Sequence, residues 1–144
     1  MNAFMEAKTM AIFIDTCIFV ALHDADDQNH QRSRELMKTA VSGKLGRMYT
    51  SDYVIDEAVT TALSRTGRHD IAVDLGTHII ESQRIMKLIV DPDTFVASWK
   101  KFKDLKGKKL SFTDCTNIAL TEKCGIKQIM SFDCGFDGLV SRLF

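Results

Sequence analysis

Short apolar segments, each the length of a strand, alternate with longer amphipathic segments along most of this chain. The first of them, residues 10–14 (MAIFI), is uniformly apolar and stops at Asp15, which is typical of a strand buried on both faces. Strands are predicted over residues 10–14, 47–50, 84–90 and 127–131, and we also consider an edge strand over 139–144. Helices are predicted over residues 16–22, 26–40, 52–66, 71–79, 92–105 and 113–124. This alternation predicts the α/β class, with a central parallel sheet covered by helices on both faces.

The length and composition of the chain limit the classes of protein that it can belong to. The 144 residues suit one domain over residues 1–144, since two full domains would be cramped. Hydrophobic residues make up 45% and charged residues 26%, which excludes a disordered tail and a membrane span. The first ten residues carry Glu6 and Lys8 and have no apolar core segment, so we expect no signal peptide. A cytoplasmic protein without a membrane partner is therefore expected.

Four acidic residues occupy positions that a parallel sheet would bring together. Asp15 ends the first strand, Asp133 follows the fourth, Asp114 opens the last helix, and Glu57 lies on the polar side of the helix after Ser51. In a sheet of this class, ligands bind beyond the carboxyl ends of the strands, where the strand order reverses. Carboxylates that converge there repel each other unless a cation neutralises them. Hard oxygen ligands without an accompanying Cys/His set favour Mg²⁺ or Mn²⁺, which can activate water for phosphodiester hydrolysis.

Each of these acids also has a purely structural explanation. Asp114 and Asp133 are plausible helix caps or turn formers, and Glu57 alone is a plausible solvated surface residue. Asp15 is harder to explain in this way, because a carboxylate directly after a buried strand requires a cap, a partner or a metal. The joint placement of the four acids is therefore the signal, and no pair of them is specific.

Four segments of the sequence resemble the acidic blocks of a PIN domain, and most closely those of the VapC-like toxin ribonucleases. They are FIDTCIFVAL, SDYVIDEAVTTAL, LSFTDCTNIAL and IMSFDCGFDGL, and the resemblance runs from about Met10 to the C-terminus. It implies a single PIN-like nuclease domain built as a three-layer α/β/α sandwich. The metal-binding and catalytic acids it implies are Asp15, Glu57, Asp114 and Asp133, with Asp137 held in reserve as the fourth acid. Thr16, Thr113 and Asn117 would be supporting residues that orient carboxylates, water or phosphate.

The resemblance further implies a divalent-metal-dependent endoribonuclease that uses metal-activated water, with Mg²⁺ or Mn²⁺ as cofactor. Cys17 and Cys115 are then interpreted as packing residues, and no covalent nucleophile is expected. A toxin of this kind would have RNA as substrate, a cognate antitoxin protein as partner, and a homodimeric state that the apolar faces of the early helices would permit. The alternatives are a PIN-type nuclease for housekeeping RNA processing, a non-catalytic RNA-binding scaffold, and an aspartyl-phosphate enzyme, for which a second Asp after Asp15 is missing.

The distribution of charge supports a nucleic-acid partner even though the formal net charge is zero. Residues 100–109 hold six lysines and one aspartate, so this segment carries +5 and the remaining 13 basic and 18 acidic residues carry −5. One interpretation of this segment is a solvated helix end, where the helix dipole favours cations. The other interpretation is a phosphate-binding patch, for which the candidates are Arg65, Arg68, Lys106, Lys108 and Lys109. Trp99 and Phe102, beside these lysines, are interpreted as core residues rather than a base-stacking platform.

Overall fold

The computed structural model describes residues 10–144, so the expectation about a signal peptide in residues 1–9 lies outside the described part of the chain. Within this range no helix is long and apolar enough to cross a bilayer. The elements are, in chain order, β1 Ala11–Ile14, α1 Thr16–His23, α2 His30–Val41, β2 Arg47–Ser51, α3 Asp52–Thr66, α4 His69–Glu81, β3 Ile85–Leu88, α5 Pro92–Asp104, α6 Phe112–Cys124, β4 Gln128–Met130 and β5 Ser141–Leu143. A 3₁₀ turn, Cys134–Phe136, precedes β5.

The five strands form one parallel sheet in the order β3-β2-β1-β4-β5, which confirms the predicted fold class and the edge strand at the C-terminus. Because strand connections in parallel sheets are right-handed, α1 to α4 cover one face and α5 and α6 cover the other. The contacts agree, since α1 packs on α2, α3 and α4, and α5 packs on α6. The sheet is therefore the middle layer of three.

The central strand β1 determines where a site can form. Ile12, Phe13 and Ile14 have no exposed surface, because β1 lies between β2 and β4 with helices on both faces. The chain leaves β1 toward β2 on one side and returns to β4 on the other. The strand order thus reverses at β1, and a crevice opens beyond the carboxyl ends of β1 and β4.

Local sequence signals set the helix boundaries near this crevice. The Ser51 hydroxyl accepts a hydrogen bond from the Val54 amide at 3.1 Å and caps α3. Ser111 and Asp114 form a capping box at the start of α6. Gly67 and Gly125 end α3 and α6 with φ values of 65° and 67°, a left-handed conformation that suits glycine. These boundaries agree with the predicted ones within a residue.

The predicted start of the second helix is wrong, since α2 begins at His30 and not near Asp26. The Asp24 carboxylate accepts a hydrogen bond from the Asp26 amide, and the Asp27 carboxylate accepts one from the Asn29 amide. Aspartates that bond the backbone two residues ahead compete with helix formation and hold turns. Residues 24–29 therefore form a compact loop after α1.

The interpretation of Trp99 and Phe102 as core residues is also wrong. Their side chains are 50% and 43% exposed, and the two rings stack on each other with centroids 5.8 Å apart. The face of α5 that packs inward carries the small residues Thr94 and Ser98 instead. The large apolar residues of α5 consequently point away from the sheet.

Candidate active site

Four carboxylates from distant parts of the chain line one cavity of about 200 Å³. Asp15 follows β1, Asp133 follows β4, Asp114 lies in the first turn of α6, and Glu57 lies on α3. The cavity is at the reversal point of the sheet, where the carboxyl ends of β1 and β4 meet. The four acids that the sequence singled out are thus brought to one place by the topology.

Asp15 is buried, and its carboxylate accepts hydrogen bonds from three nitrogen and hydroxyl donors and a longer one from the Cys17 thiol. Its own helix contributes the Thr16 amide at 2.8 Å, and α6 contributes the Asn117 side-chain amide at 3.0 Å. The residue directly after β4, Ser131, contributes its hydroxyl at 2.7 Å. These donors come from three separate elements. The orientation of this carboxylate is therefore set by the packing of α1, β4 and α6 together.

Asp114 and Asp133 each serve as a cap and also line the cavity. One Asp114 oxygen accepts a hydrogen bond from the Ser111 amide at 2.9 Å, and the Asp114 amide donates to the Ser111 hydroxyl at 3.0 Å. Asp133 accepts from the Gly135 amide at 2.8 Å at the start of the 3₁₀ turn. The capping role expected for isolated aspartates is present, and it holds both carboxylates at the cavity wall.

Burial and mutual repulsion disfavour the charged forms of two of these acids. Burial, together with the charge of Glu57, raises the pKa of Asp15 to about 6, although its hydrogen bonds to Ser131 and Thr16 act in the opposite direction. Burial and then the charges of Asp15, Asp133 and Glu57 raise the pKa of Asp114 to about 7. All four acids are therefore electrostatically coupled across the cavity.

The oxygen-rich lining fits a hard divalent cation in chemical type. Two buried oxygens, Thr16 Oγ1 and Asn117 Oδ1, find no hydrogen-bond partner in the described part of the chain, and both residues contact Asp15 through a nitrogen. Among residues 10–144, no three Asp, Glu, His or Cys side chains stand close enough to hold an ion as they are placed. Binding would thus rest on one or two cavity carboxylates with water as further ligands, as is usual for Mg²⁺, or on carboxylates that turn toward one another.

Not all of the predicted supporting residues reach the cavity. Thr16 lines it, and Asn117 lies behind it on Asp15. Thr113 is not among the lining residues, and its carbonyl accepts a hydrogen bond from the Thr116 hydroxyl. Asp137 is exposed and forms a two-point ion pair with Arg142 at 2.8 and 3.1 Å, which lowers the pKa of Asp137. Asp137 is consequently engaged outside the cavity, whereas Asp133 lines it.

The two candidate arginines occupy different positions. Arg65 lines the acid cavity, and its guanidinium lies 3.7 Å from Asp27 in the loop after α1. Arg68 is exposed and pairs with Asp70 at 2.6 Å. It is not among the residues that line the acid cavity. The acid cavity thus contains one guanidinium within reach of any phosphate that enters it.

The lysine segment passes beside the acid cavity. Lys100 and Lys101 pair with Asp104 and Glu122, whereas Lys106 and Lys109 are exposed. Lys108 donates a hydrogen bond to the Asp137 carbonyl, and Leu110 packs against Gly135 in the turn that carries Asp133. The segment is therefore anchored to the same turn that supplies one of the four acids.

Ser131, which connects two of the acids, was not predicted from the sequence as a site residue. Its buried hydroxyl donates to the Asp15 carboxylate and accepts from the Asp133 amide at 3.0 Å. The available signal was a small polar residue directly after an apolar strand and two residues before an acid. Ser111 and Thr61 also line the cavity without having been proposed as site residues.

Cys17 also lines the acid cavity, with its sulfur 3.6 Å from the Asp15 carboxylate and 3.5 Å from the Ser131 hydroxyl. Burial and the charge of Asp15 raise the pKa of the Cys17 thiol to about 12. At neutral pH the thiol is therefore protonated, which argues against a nucleophilic thiolate.

Comparison with known proteins identifies the relatives of this chain. Residues 12–139 match the family described as PIN domain. A VapC ribonuclease from Archaeoglobus fulgidus is 27% identical over 128 residues, a match that covers 88% of this chain and 80% of the relative. The 23S rRNA-specific endonuclease VapC20 from Mycobacterium tuberculosis is 26% identical over 125 residues, covering 87% of this chain and 91% of the relative.

Solved structures show the same architecture. The crystal structure of Mycobacterium tuberculosis VapC20, described as a Sarcin-Ricin loop cleaving toxin, superimposes with a TM-score of 0.79 at 28% identity and covers 90% of this chain and 96% of that one. VapBC2 from Rickettsia felis, bound to a DNA fragment from its promoter, gives a TM-score of 0.65 at 13% identity, with 93% and 98% coverage. The second likeness shows a shared fold alone.

The raised pKa values predict how the stability of the metal-free protein depends on pH. An unfolded chain releases the protons of Asp15 and Asp114 near their ordinary pKa of about 4, whereas the folded protein keeps them up to about 6 and 7. The free energy of unfolding therefore falls as pH rises from about 4 to 7. Asp114→Asn, which keeps an acceptor for the Ser111 amide, should reduce this fall and raise the melting temperature by several degrees at neutral pH.

The measurement is calorimetric melting in a chelator across this pH range. Asp70→Asn is the matched control, because its exposed carboxylate has a pKa lowered by Arg68 and should give no gain. A melting curve for Asp114→Asn with the same pH dependence as wild type would show that the carboxylate is not destabilising.

Proposed function

The chain belongs to the PIN domain family, and from this premise we propose that it is a divalent-metal-dependent endoribonuclease. The observation that carries the proposal is the convergence of Asp15, Glu57, Asp114 and Asp133 on one cavity at the reversal point of the sheet. The raised pKa values of Asp15 and Asp114 support it, because perturbed carboxylates in a cleft mark a functional site. The relatives named as VapC ribonucleases support RNA as the substrate. We also propose that residues 1–144 form one domain.

In this proposal the four cavity acids hold Mg²⁺ or Mn²⁺. When bound, the cation supplies Lewis-acid activation of water and stabilises the oxygen that leaves the phosphorus. Ser131, Asn117 and the Thr16 amide hold the Asp15 carboxylate in place. Arg65, at the cavity wall, binds the phosphate of the RNA backbone. Cys17 takes no covalent part, because its thiol is protonated.

The proposal predicts metal-dependent cleavage that requires the cavity acids. Wild-type protein should cleave RNA in Mg²⁺ or Mn²⁺ and lose activity in chelator. Asp15→Asn and Asp114→Asn should each reduce cleavage by at least about a hundredfold, because few charges hold the metal. Asp56→Asn is the control, since Asp56 is exposed on α3 beside Glu57 and outside the cavity. The measurement is initial cleavage rate on labelled RNA.

Absence of cleavage by wild-type protein on every RNA class, with metal present and inhibitor removed, would reject the nuclease. Equal rates for wild type and Asp114→Asn would reject the assigned site. The Asp137→Asn variant decides whether Asp133 or Asp137 is the fourth acid. Because Asp137 is paired with Arg142, we expect this variant to retain activity, which would assign the role to Asp133.

We further propose that the protein is the toxin of a toxin–antitoxin pair, with an antitoxin protein as partner. Support comes from the toxin description of VapC20 and from the shared fold of the Rickettsia felis VapBC2 structure. The alternative is a housekeeping nuclease without an antitoxin, and expression in cells distinguishes it from a toxin. A toxin should arrest growth as wild type and not as Asp15→Asn. Co-expression of a neighbouring short open reading frame should relieve the arrest. Normal growth of cells that contain active nuclease supports the housekeeping role.

Lys106 and Lys109 are proposed to bind the RNA backbone together with Lys108. Replacing Lys106 and Lys109 with alanine should weaken RNA binding and reduce the slope of log affinity against log salt by about 0.7 for each lost contact. Lys108 is omitted because it also holds the Asp137 carbonyl. Lys100→Ala is the matched control, since Lys100 is already paired with Asp104. An unchanged salt slope, measured by fluorescence anisotropy on inactive Asp114→Asn protein, would reject the patch.

We propose that the protein is a homodimer whose interface is the outward face of α5. Phe95, Val96, Trp99 and Phe102 form this face, and Val96 is 67% exposed. The Trp99 and Phe102 rings of this face stack on each other, and an exposed apolar patch of neighbouring side chains is typical of protein–protein contacts. Phe112, at the start of α6, packs against Phe95 with ring centroids 5.2 Å apart, so the face adjoins the helix that carries Asp114. Pairing here would bring two acid cavities near one interface.

Val96→Glu should convert the dimer to a monomer, because it would bury a charge in the interface. Val73→Glu is the control, since Val73 is 48% exposed on α4. Light scattering coupled to gel filtration measures the mass of each variant. A Val96→Glu protein that stays dimeric would reject this interface. If wild type is a monomer and Trp99→Ala lowers its affinity for RNA, the exposed aromatic rings of α5 would be assigned to base stacking instead.

A further inference from the structure

A second cavity of about 380 Å³ adjoins the acid cavity and has no role in the proposed chemistry. The two cavities share Cys17 and Arg65 as lining residues, so they lie next to each other. The remaining walls come from the loop after α1, through Asp24, Asp27, Gln28 and Asn29, and from Phe132 beside β4. A volume of this size lies in the range of small-ligand sites.

Two polar side chains of this second cavity, those of Gln28 and Asn29, are not needed to hold the fold. The side chains of Gln28 and Asn29 make no hydrogen bond within the described residues, whereas the neighbouring Asp24, Asp27 and His30 side chains do. Asn29 sits at the N-cap of α2, yet its side chain does not cap the helix. An asparagine at an N-cap ordinarily bonds the first turn. Both amides are therefore available to a ligand.

The loop that presents these amides is held in one shape. Backbone hydrogen bonds join Asp24 to Val20, Asp27 to Asp24 and His30 to Asp27, at 2.9 to 3.0 Å. The His30 ring contacts the Ala21 carbonyl at 2.7 Å and ties the start of α2 to α1. Since these contacts order the loop without a ligand, little entropy remains to be lost on binding.

The chemistry of the walls matches a nucleobase. Amide side chains pair with base edges, and carboxylates accept hydrogen bonds from exocyclic amino groups. The carboxylates of Asp24 and Asp27 can only accept hydrogen bonds. Of the four RNA bases, uracil is therefore the poorest match for this cavity, because it has no exocyclic amino group to donate. Phe132 provides an apolar wall for stacking, and Arg65 lies between the two cavities, where the phosphate next to the reacting one would pass.

We propose that this second cavity is a base-reading subsite that selects an amino-bearing base, adenine, guanine or cytosine, beside the cleaved bond. The proposal rests on the nuclease function proposed above, because the acid cavity defines which nucleotide is the neighbour. Asp24 and Asp27 accept from the amino group of the base, and Gln28 and Asn29 hold the base edge against these carboxylates. Arg65 joins the subsite to the acid cavity.

The test uses a set of oligoribonucleotides that vary the base on either side of one cleavable bond. Wild type should cleave the amino-bearing set with higher kcat/KM than the uracil set at one fixed position. Gln28→Ala and Asn29→Ala should each lower kcat/KM for the preferred base by about tenfold, the loss expected for one good base-edge contact. The loss on the uracil set should be smaller, because uracil has no amino group to be held against the carboxylates of Asp24 and Asp27. Gln31→Ala is the matched control, because Gln31 is exposed on α2 outside the cavity.

Binding to the same oligonucleotides, measured by anisotropy, separates this proposal from the nuclease proposal. Cleavage without base preference, or an unchanged preference in both variants, would overturn the subsite and leave the nuclease intact. Base-selective binding that both variants lose, without any cleavage by wild type, would support base reading by this cavity and overturn both the nuclease and the placement of the base beside a cleaved bond. Wild type that neither binds nor cleaves RNA would overturn both.

Discussion

The structure depends on one buried carboxylate, that of Asp15, at the end of its most buried strand. Removing a charged carboxylate from water is costly unless donors compensate it. The Thr16 amide, the Ser131 hydroxyl and the Asn117 amide do so from α1, β4 and α6. Because these donors belong to different elements, satisfying Asp15 also determines how those elements meet. The compensation is incomplete, since burial still raises the pKa of Asp15 to about 6.

The same arrangement concentrates negative charge where the sheet order reverses. Asp114 is fixed by its capping box with Ser111, and Asp133 by its turn toward Gly135, so local folding rules place both carboxylates beside Asp15. The result opposes stability, because burial and repulsion by its neighbours raise the pKa of Asp114 to about 7. A cation held among these acids would relieve the repulsion. In the function that we propose, the instability of the metal-free site and its affinity for metal therefore have one electrostatic origin.

Most of the fold followed from hydrophobic pattern and capping residues, and the errors have identifiable causes. The strands and most helix boundaries were predictable because a buried run, a Ser cap or a terminal Gly acts locally. The start of α2 was missed because Asp24 and Asp27 hold a turn within a helix-like pattern. Trp99 and Phe102 were misread because periodicity finds an apolar face but does not say whether anything covers it. Their exposure is what makes α5 a candidate interface.

By itself, the sequence determined the fold class, the family resemblance and the four acids that share a cavity, because each depends on residue types at fixed places along a strand or helix. The tertiary structure alone decided that Asp133 lines the cavity while Asp137 pairs with Arg142, and that Ser131 connects Asp15 to Asp133. It also brought the loop after α1 against Arg65 to form a second cavity. The physical reason is that these contacts join residues far apart in the chain, whose distances are set by packing of the sheet and helices and leave no periodic pattern in the sequence.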